Sequence, residues 1–406
     1  MYIARAIEKI ILDTSKYYPV ILVTGPRQVG KTTMLRHLVE DTHQYISMDD
    51  ILQRRILSGD PLLFFKNNPG PLILDEIQYV PEAFQTIKHI VDEFNKAGLY
   101  YLTGSQSFHL MQNVSETLAG RIAILPLQGL SLREIFGVNF LDAFIPSQSY
   151  FSKRSKTIHE YSDLWYHIHR GSMPKLVKEK EMDWDLYYRS YIQTYIERDI
   201  RQLTQIADEK LFMDFMIALA ARSGSLLNYQ AIAKDLGTSA ETIKRWTSIL
   251  ETSAVIYLLY PYSNNYLKRA IKTPKVYFLD TGLLAYLTRW LTPETLKNGA
   301  VAGSVFETFV ISEIIKSFLN TGQGNPPLYF YRDKDGKEID LIIEHGHDLY
   351  PVEIKMTANP SKRMGTNFSV LKKIPNANLM PGIILCQYKK LTWLSEDIVA
   401  VPIDYI

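Results

Sequence analysis

The chain has 406 residues, an ordinary hydrophobic content of 46% and a formal net charge of only +2. That length points to two to four domains with sizeable cores, while so small a charge excludes a uniformly basic nucleic-acid coat, so any surface for a polyanion must be local. The single cysteine, Cys386, excludes an internal disulfide and a cysteine-rich zinc site.

The first residues, Met1-Tyr2-Ile3-Ala4-Arg5, lead into mixed polar sequence rather than a signal-peptide core, and no apolar run reaches bilayer length. A soluble cytoplasmic protein without membrane contact is expected. Residues 1 to about 136 alternate strand-like and helix-like segments, with strands at 20–24, 44–48, 71–75, 99–103 and 122–125. This predicts an α/β fold with a doubly wound parallel sheet.

The first strand runs into Gly25-Pro26-Arg27-Gln28-Val29-Gly30-Lys31-Thr32, followed by Thr33 and a helical spacing of Leu35, Leu38 and Val39. The pattern G-x-x-x-x-G-K-[ST], between a strand and a helix, is that of a phosphate-binding P-loop. Its glycines let backbone N–H groups face an anion at a helix N-terminus. Lys31 is expected to reach the β- and γ-phosphates of ATP, and Thr32 to hold Mg²⁺. A second apolar strand ends in Asp75-Glu76. Asp75 is the candidate second Mg²⁺ ligand and Glu76 the candidate base for the attacking water. The fourth strand ends Leu102-Thr103-Gly104-Ser105, where Thr103 and Ser105 are candidates to sense the γ-phosphate. Arg121, in Leu118-Ala119-Gly120-Arg121, could reach a neighbouring subunit's ATP and so implies a homo-oligomer; a solvated surface arginine is the alternative.

These segments resemble prokaryotic AAA+-type P-loop ATPases that carry a C-terminal domain of unknown function. The resemblance extends through Tyr195-Ile196-Glu197-Arg198-Asp199, Lys244-Arg245-Trp246 and Pro274-Lys275-Val276-Tyr277-Phe278-Leu279-Asp280-Thr281-Gly282. It implies the ATPase fold and the roles just given. No clear second sensor arginine follows the ATPase core, which puts a full AAA+ lid in question.

Beyond the ATPase unit, placed at residues 1–140, a linker and helical region is expected at 141–220. Its first part, around Pro146-Ser147-Gln148-Ser149, reads as a surface connection. A winged-helix-like unit is placed at 221–295. There Asn228 to Leu236 form one helix, Gly237 allows a tight turn, and Thr238-Ser239-Ala240-Glu241 is a capping-box pattern opening a second helix. Ile243, Trp246, Ile249 and Leu250 form its buried stripe, and Thr242, Lys244, Arg245 and Ser248 face outward. Segments 255–260 and 275–279 could pair as wing strands. Lys268, Arg269, Lys272 and Lys275 form a basic cluster that could meet DNA phosphates. Packing or protein contact is the bland alternative.

The last unit, 296–406, carries Asp340 near a strand start and Glu353-Ile354-Lys355 on a second strand, where Glu353 and Lys355 share a face. Upstream, Glu307 lies on the helical line of Ile311, Ile314 and Phe318, an expensive place for a carboxylate without a partner. Oxygen ligands from Glu307, Asp340 and Glu353 suit Mg²⁺ or Mn²⁺, with Lys355 offsetting charge in phosphodiester cleavage. The order resembles the PD-(D/E)xK restriction-endonuclease-like superfamily, with Ile339-Asp340 in place of the Pro-Asp dipeptide. A plain ion pair of Glu353 with Lys355, and of Glu307 with an arginine such as Arg332, is the alternative. Three functions stay open: an ATPase coupled to a DNA-binding, metal-dependent nuclease-like module, an ATP-dependent switch whose C-terminal units bind DNA or protein without cleaving, or an assembly component whose P-loop binds nucleotide structurally.

Overall fold

A computed structural model describes residues 2–105, 114, 116–195, 209–263, 273–375 and 377–406, without the side chains of Ser105 and Tyr195. Five strands build the first sheet: β1 (Val20–Gly25), β2 (Gln44–Ser47), β3 (Leu72–Asp75), β4 (Tyr100–Ser105) and β5 (Ile122–Pro126). Their order is β2-β3-β4-β1-β5 and all neighbours run parallel. Each strand therefore ends on the same edge, and β4 lies between the P-loop strand and the Asp75 strand. All six residues of β1 are buried, as expected of a parallel strand covered on both faces. Side chains alternate between those faces. Val20, Leu22, Leu72, Leu74 and Leu102 pack into a core confined to this unit. Ile21, Val23, Ile73 and Leu125 join a larger core that runs on to Ile406.

The surface connection expected after residue 140 exposes Gln148, Ser149, Ser152, Lys153, Ser155 and Lys156, but it is helical and anchored to this core. Ser147 caps the helix Gln148–Arg154 through Tyr150 N, and Tyr150 and Arg154 are buried. The Arg154 guanidinium donates to Asp404 O at 2.6 Å and to Tyr161 OH at 3.2 Å. A guanidinium with these partners stitches the segment to the chain's last residues.

The helix-turn-helix forms from Tyr229–Leu236 and Ala240–Thr252. Gly237 takes φ 64°, the left-handed conformation that ends a helix cheaply when no Cβ is present. The second cap differs from expectation. Ser239, not Thr238, is the N-cap and accepts from Thr242 N, so Glu241 falls one position too early to complete a capping box. Ile243, Trp246 and Leu250 are buried, while Lys244, Arg245 and Ser248 are exposed. Strands β6 (Ile256–Leu259) and β7 (Lys275–Phe278) pair antiparallel as a two-stranded ribbon.

Seven strands form the last sheet: β8 (Leu328–Arg332), β9 (Glu338–His345), β10 (Asp348–Lys355), β11 (Asn378–Leu379), β12 (Gly382–Cys386), β13 (Thr392–Ser395) and β14 (Ile398–Pro402). The path is β13-β14-β12-β10-β9-β8, with β11 beside β10. The β8–β9–β10 meander is antiparallel, whereas β10, β12 and β14 run parallel. The helix Ala302–Leu319 packs against this sheet and is buried almost all round, rather than along one stripe. Among the described residues, no helix is long and apolar enough to cross a membrane.

Candidate functional site

Local sequence shapes the phosphate loop. Gly25 has φ 144°, and a Cβ there would lie 2.0 Å from Leu127 O, so only glycine fits. Gly30 takes φ 91° and begins the helix Lys31–Val39. Lys31 is 6% exposed. Its ammonium donates to Gly25 O at 3.0 Å and to Pro26 O at 2.7 Å, arching back over the loop.

Three hydroxyls, from the helix after the loop, from β2 and from β4, converge on Asp75. Thr32 Oγ1 donates to Asp75 Oδ1 at 2.6 Å, Tyr45 OH donates to Asp75 Oδ2 at 3.0 Å, and Thr103 Oγ1 also donates to Asp75 Oδ1. The Thr32 hydroxyl and the Asp75 carboxylate therefore stand as the hard oxygen pair that Mg²⁺ prefers. Glu76 follows in the left-handed conformation at φ 56°, a costly setting for a glutamate that tends to mark functional sites. Its N–H donates to Thr103 Oγ1 at 3.2 Å, and its carboxylate accepts from Gln78 Nε2. Backbone pairing of Ser105 with Gly25 puts Ser105 at the loop edge; its side chain lies outside the described atoms.

Sequence reasoning missed the residue that braces this loop. Arg5 is 5% exposed. It donates to Glu134 Oε1 at 3.0 Å, Val29 O at 2.8 Å and Gln128 O at 2.7 Å. Burial works against the Glu134 charge, yet Arg5 and the Ser131 and Ala6 N–H groups outweigh it and hold the carboxyl below its ordinary value. The helix Ala302–Leu319 grips the same stretch from the far end of the sequence. Glu313 Oε2 accepts from Leu132 N at 2.8 Å, Lys316 donates to Leu130 O at 3.2 Å, and Ser317 Oγ accepts from Phe144 N at 3.0 Å. A buried Glu313–Lys316 pair at 2.8 Å completes the clamp. The available signal was two opposite charges three residues apart in a helix that is otherwise mostly apolar around them.

A cavity of about 530 Å³ opens beside Gly30 and Thr33, walled by Tyr2 and Ile3 on one side and by Pro174, Lys175 and Lys178 on the other. The Tyr2 ring lies 4.0 Å from that of His37. Behind the loop, Asp280 accepts from Ser172 N at 2.7 Å, Tyr188 OH at 2.6 Å and Leu283 N at 2.7 Å. The Leu279-Asp280-Thr281-Gly282 segment is thus a buried cap.

Arg121 sits at the opposite edge of the sheet, where its carbonyl accepts from Val20 N. Its guanidinium makes a two-pronged pair with Asp92. It lies away from this chain's own phosphate loop.

In the last unit, Asp340 and Glu353 do meet, bridged by Lys355 at 3.0 and 2.6 Å. Burial, then the Asp340 charge, pushes the Glu353 carboxyl up to about 8. Glu307 departs from the expected metal set. Its Oε1 accepts from Tyr277 OH at 2.6 Å and Lys275 Nζ at 3.4 Å, and burial raises its pKa despite Lys275. Arg332 pairs with Glu338 instead, at 3.5 Å. Lys275 is itself 3% exposed, which removes it from the expected DNA-facing cluster; Lys268, Arg269 and Lys272 lie outside the described residues. Among the described residues, no group of three or more His, Cys, Asp or Glu side chains is disposed to hold a metal ion. A three-carboxylate metal site therefore does not fit this arrangement.

Residues 17–136 match the AAA domain family, 161–294 a domain of unknown function (DUF8612) and 302–406 another (DUF4143). The N-terminal unit is a P-loop ATPase domain. An uncharacterized protein of Mycobacterium tuberculosis is 28% identical over 392 residues, covering 96% of this chain and 81% of that protein. One of Methanocaldococcus jannaschii is 24% identical over 401 residues, covering 90% and 80%. Among solved structures, a Walker-type ATPase of Pyrococcus abyssi superposes with a TM-score of 0.38 at 13% identity, over 69% of this chain and 94% of that one. AMPPCP-bound DnaA from Aquifex aeolicus gives 0.30 at 13%, over 60% and 86%. Neither likeness is close enough to bear on function.

Proposed function

We propose that the chain hydrolyses ATP at the P-loop and uses the nucleotide state to control C-terminal units that bind DNA or protein. The observation that carries this is the convergence of Lys31, Thr32, Asp75, Glu76 and Thr103 at the shared edge of β1, β3 and β4. In this reading the backbone N–H groups of Gly25 to Thr33, those of Arg27, Gln28 and Val29 among them, cradle the phosphates, while Pro26, which has no N–H, only shapes the loop. Lys31 leaves the Gly25 and Pro26 carbonyls for phosphate oxygens. Thr32 and Asp75 hold Mg²⁺, which supplies charge neutralisation when bound. Glu76 accepts a proton from water, aimed by its Gln78 contact, and Thr103 fixes the geometry between Asp75 and Glu76. The cavity bounded by Tyr2, Ile3 and Pro174 takes the base and ribose.

The test is phosphate release from ATP by the full chain. Turnover that Lys31→Ala abolishes supports the reading; no turnover, or turnover unchanged in that variant, overturns it. Arg121 in trans is part of the same proposal: Arg121→Ala subunits mixed with Glu76→Gln subunits should regain turnover. For the output, the exposed Lys244 and Arg245 on the second helix of the helix-turn-helix favour DNA. Salt-dependent binding that weakens in a Lys244→Ala/Arg245→Ala double variant would support it. The meeting of Asp340, Glu353 and Lys355 is what a phosphodiester-cleaving reading rests on. The withdrawal of Glu307 onto Lys275 favours binding without cleavage.

A further inference from the structure

We propose that Lys275 is a built-in cation of the C-terminal carboxylate cluster, taking the place of a divalent metal, so that the cluster binds none while Lys275 is seated. Lys275 belongs to β7, in the ribbon of the helix-turn-helix unit, and reaches across into the neighbouring unit. Its ammonium lies 2.6 Å from Glu338 and 3.4 Å from Glu307, with its side chain 4% exposed. Asp340 adds to the field that holds it charged; burial opposes the charge, and Glu307 and Glu338 outweigh it. Tyr277 is two residues further along β7 and shares its face. It donates to the same Glu307 oxygen that Lys275 approaches.

The donor arithmetic follows. A buried ammonium has three N–H groups and is stable only beside acceptors. Lys275 finds them in Glu307 and Glu338, while Lys355 spans Asp340 and Glu353. Four carboxylates thus face two ammoniums and, at Glu338, the Arg332 guanidinium. A divalent ion needs oxygens at about 2.1 Å. Tyr277 and Lys275 both donate to Oε1 of Glu307, so an ion held through this carboxylate would sit with the Lys275 charge beside it. Metal and lysine therefore compete for the same carboxylates.

The experiment counts Mn²⁺ bound to the full chain, without nucleotide, by electron paramagnetic resonance. Wild type and Asp340→Asn should bind the same number. Lys275→Met should bind about one more ion per chain than wild type, as one ammonium gives way to one divalent site. That extra ion should vanish in Lys275→Met/Asp340→Asn. Lys275→Gln, which is neutral and keeps an N–H donor, serves if the methionine variant does not fold, and is expected to behave alike. A wild-type count that falls on Asp340→Asn would overturn the proposal, because the cluster would then hold metal with Lys275 in place. So would folded Lys275 variants that gain no ion. The comparison is independent of the ATP site, so its failure leaves the P-loop reading untouched.

Discussion

Arg5→Met removes the guanidinium that joins the chain's start to the back of the phosphate loop. Both partners of the Arg5–Glu134 pair have side chains 3% exposed. Deleting one member of a pair so buried leaves the other charged and uncompensated, at a cost on the order of 3–5 kcal/mol. Val29 O and Gln128 O lose their donors as well, but these losses overlap with the first and do not add in full. Urea unfolding followed by far-UV circular dichroism should show a lower midpoint at unchanged slope. The double variant Arg5→Met/Glu134→Gln should recover part of the loss, because the stranded charge is gone. The loop should also bind ATP more weakly, since Val29 is no longer braced. A cost under about 1 kcal/mol, in the range of an exposed pair, would refute the claim that Arg5 braces the loop.

Three further outcomes are expected. Glu76→Gln should lower ATP turnover about 10²-fold or more, the usual worth of a positioned base, with nucleotide affinity little changed in equilibrium binding. Lys316→Met should destabilise the chain by about 3 kcal/mol in urea by stranding Glu313, whereas Lys316→Met with Glu313→Gln should cost less. Glu353, raised from 4.5 to about 8 in the folded chain, favours its neutral form. Its stabilising share is complete below pH 4.5 and is lost as pH rises through 8. The Glu353→Gln variant, neutral throughout, should therefore lose less stability between pH 5 and 9 than the parent. The upper bound is on the order of 5 kcal/mol, and equal pH slopes would sink the assignment.

What was legible in the sequence is what short-range chemistry dictates. The P-loop, the Asp75-Glu76 strand end and all five strands of the first sheet lie within a residue or two of expectation, because strand, glycine turn and helix are neighbours in the chain. The β9–β10 pairing that joins Asp340 to Lys355 was legible for the same reason, at a separation of 15 residues. What stayed hidden is long-range. Arg5 finds Glu134 at a separation of 129 residues, Leu132 finds Glu313 at 181, and Arg154 finds Asp404 at 250. No periodicity encodes such pairings. Glu307 shows the limit: an acid in an apolar helix announces a partner, and only the fold reveals an ammonium.

The clamp from Glu313, Lys316 and Ser317 has a consequence for how this protein can be divided. Ending the chain after the AAA-type unit would uncover the face of its sheet that carries Ile21 and Val23. It would also leave Leu132 N without its acceptor. The three sequence families matched along the chain are thus segments of one cooperative body, and a severed ATPase unit would be sticky and poorly shaped at the very loop that meets nucleotide. In evolution, too, such segments would be inherited together rather than shuffled as separate beads.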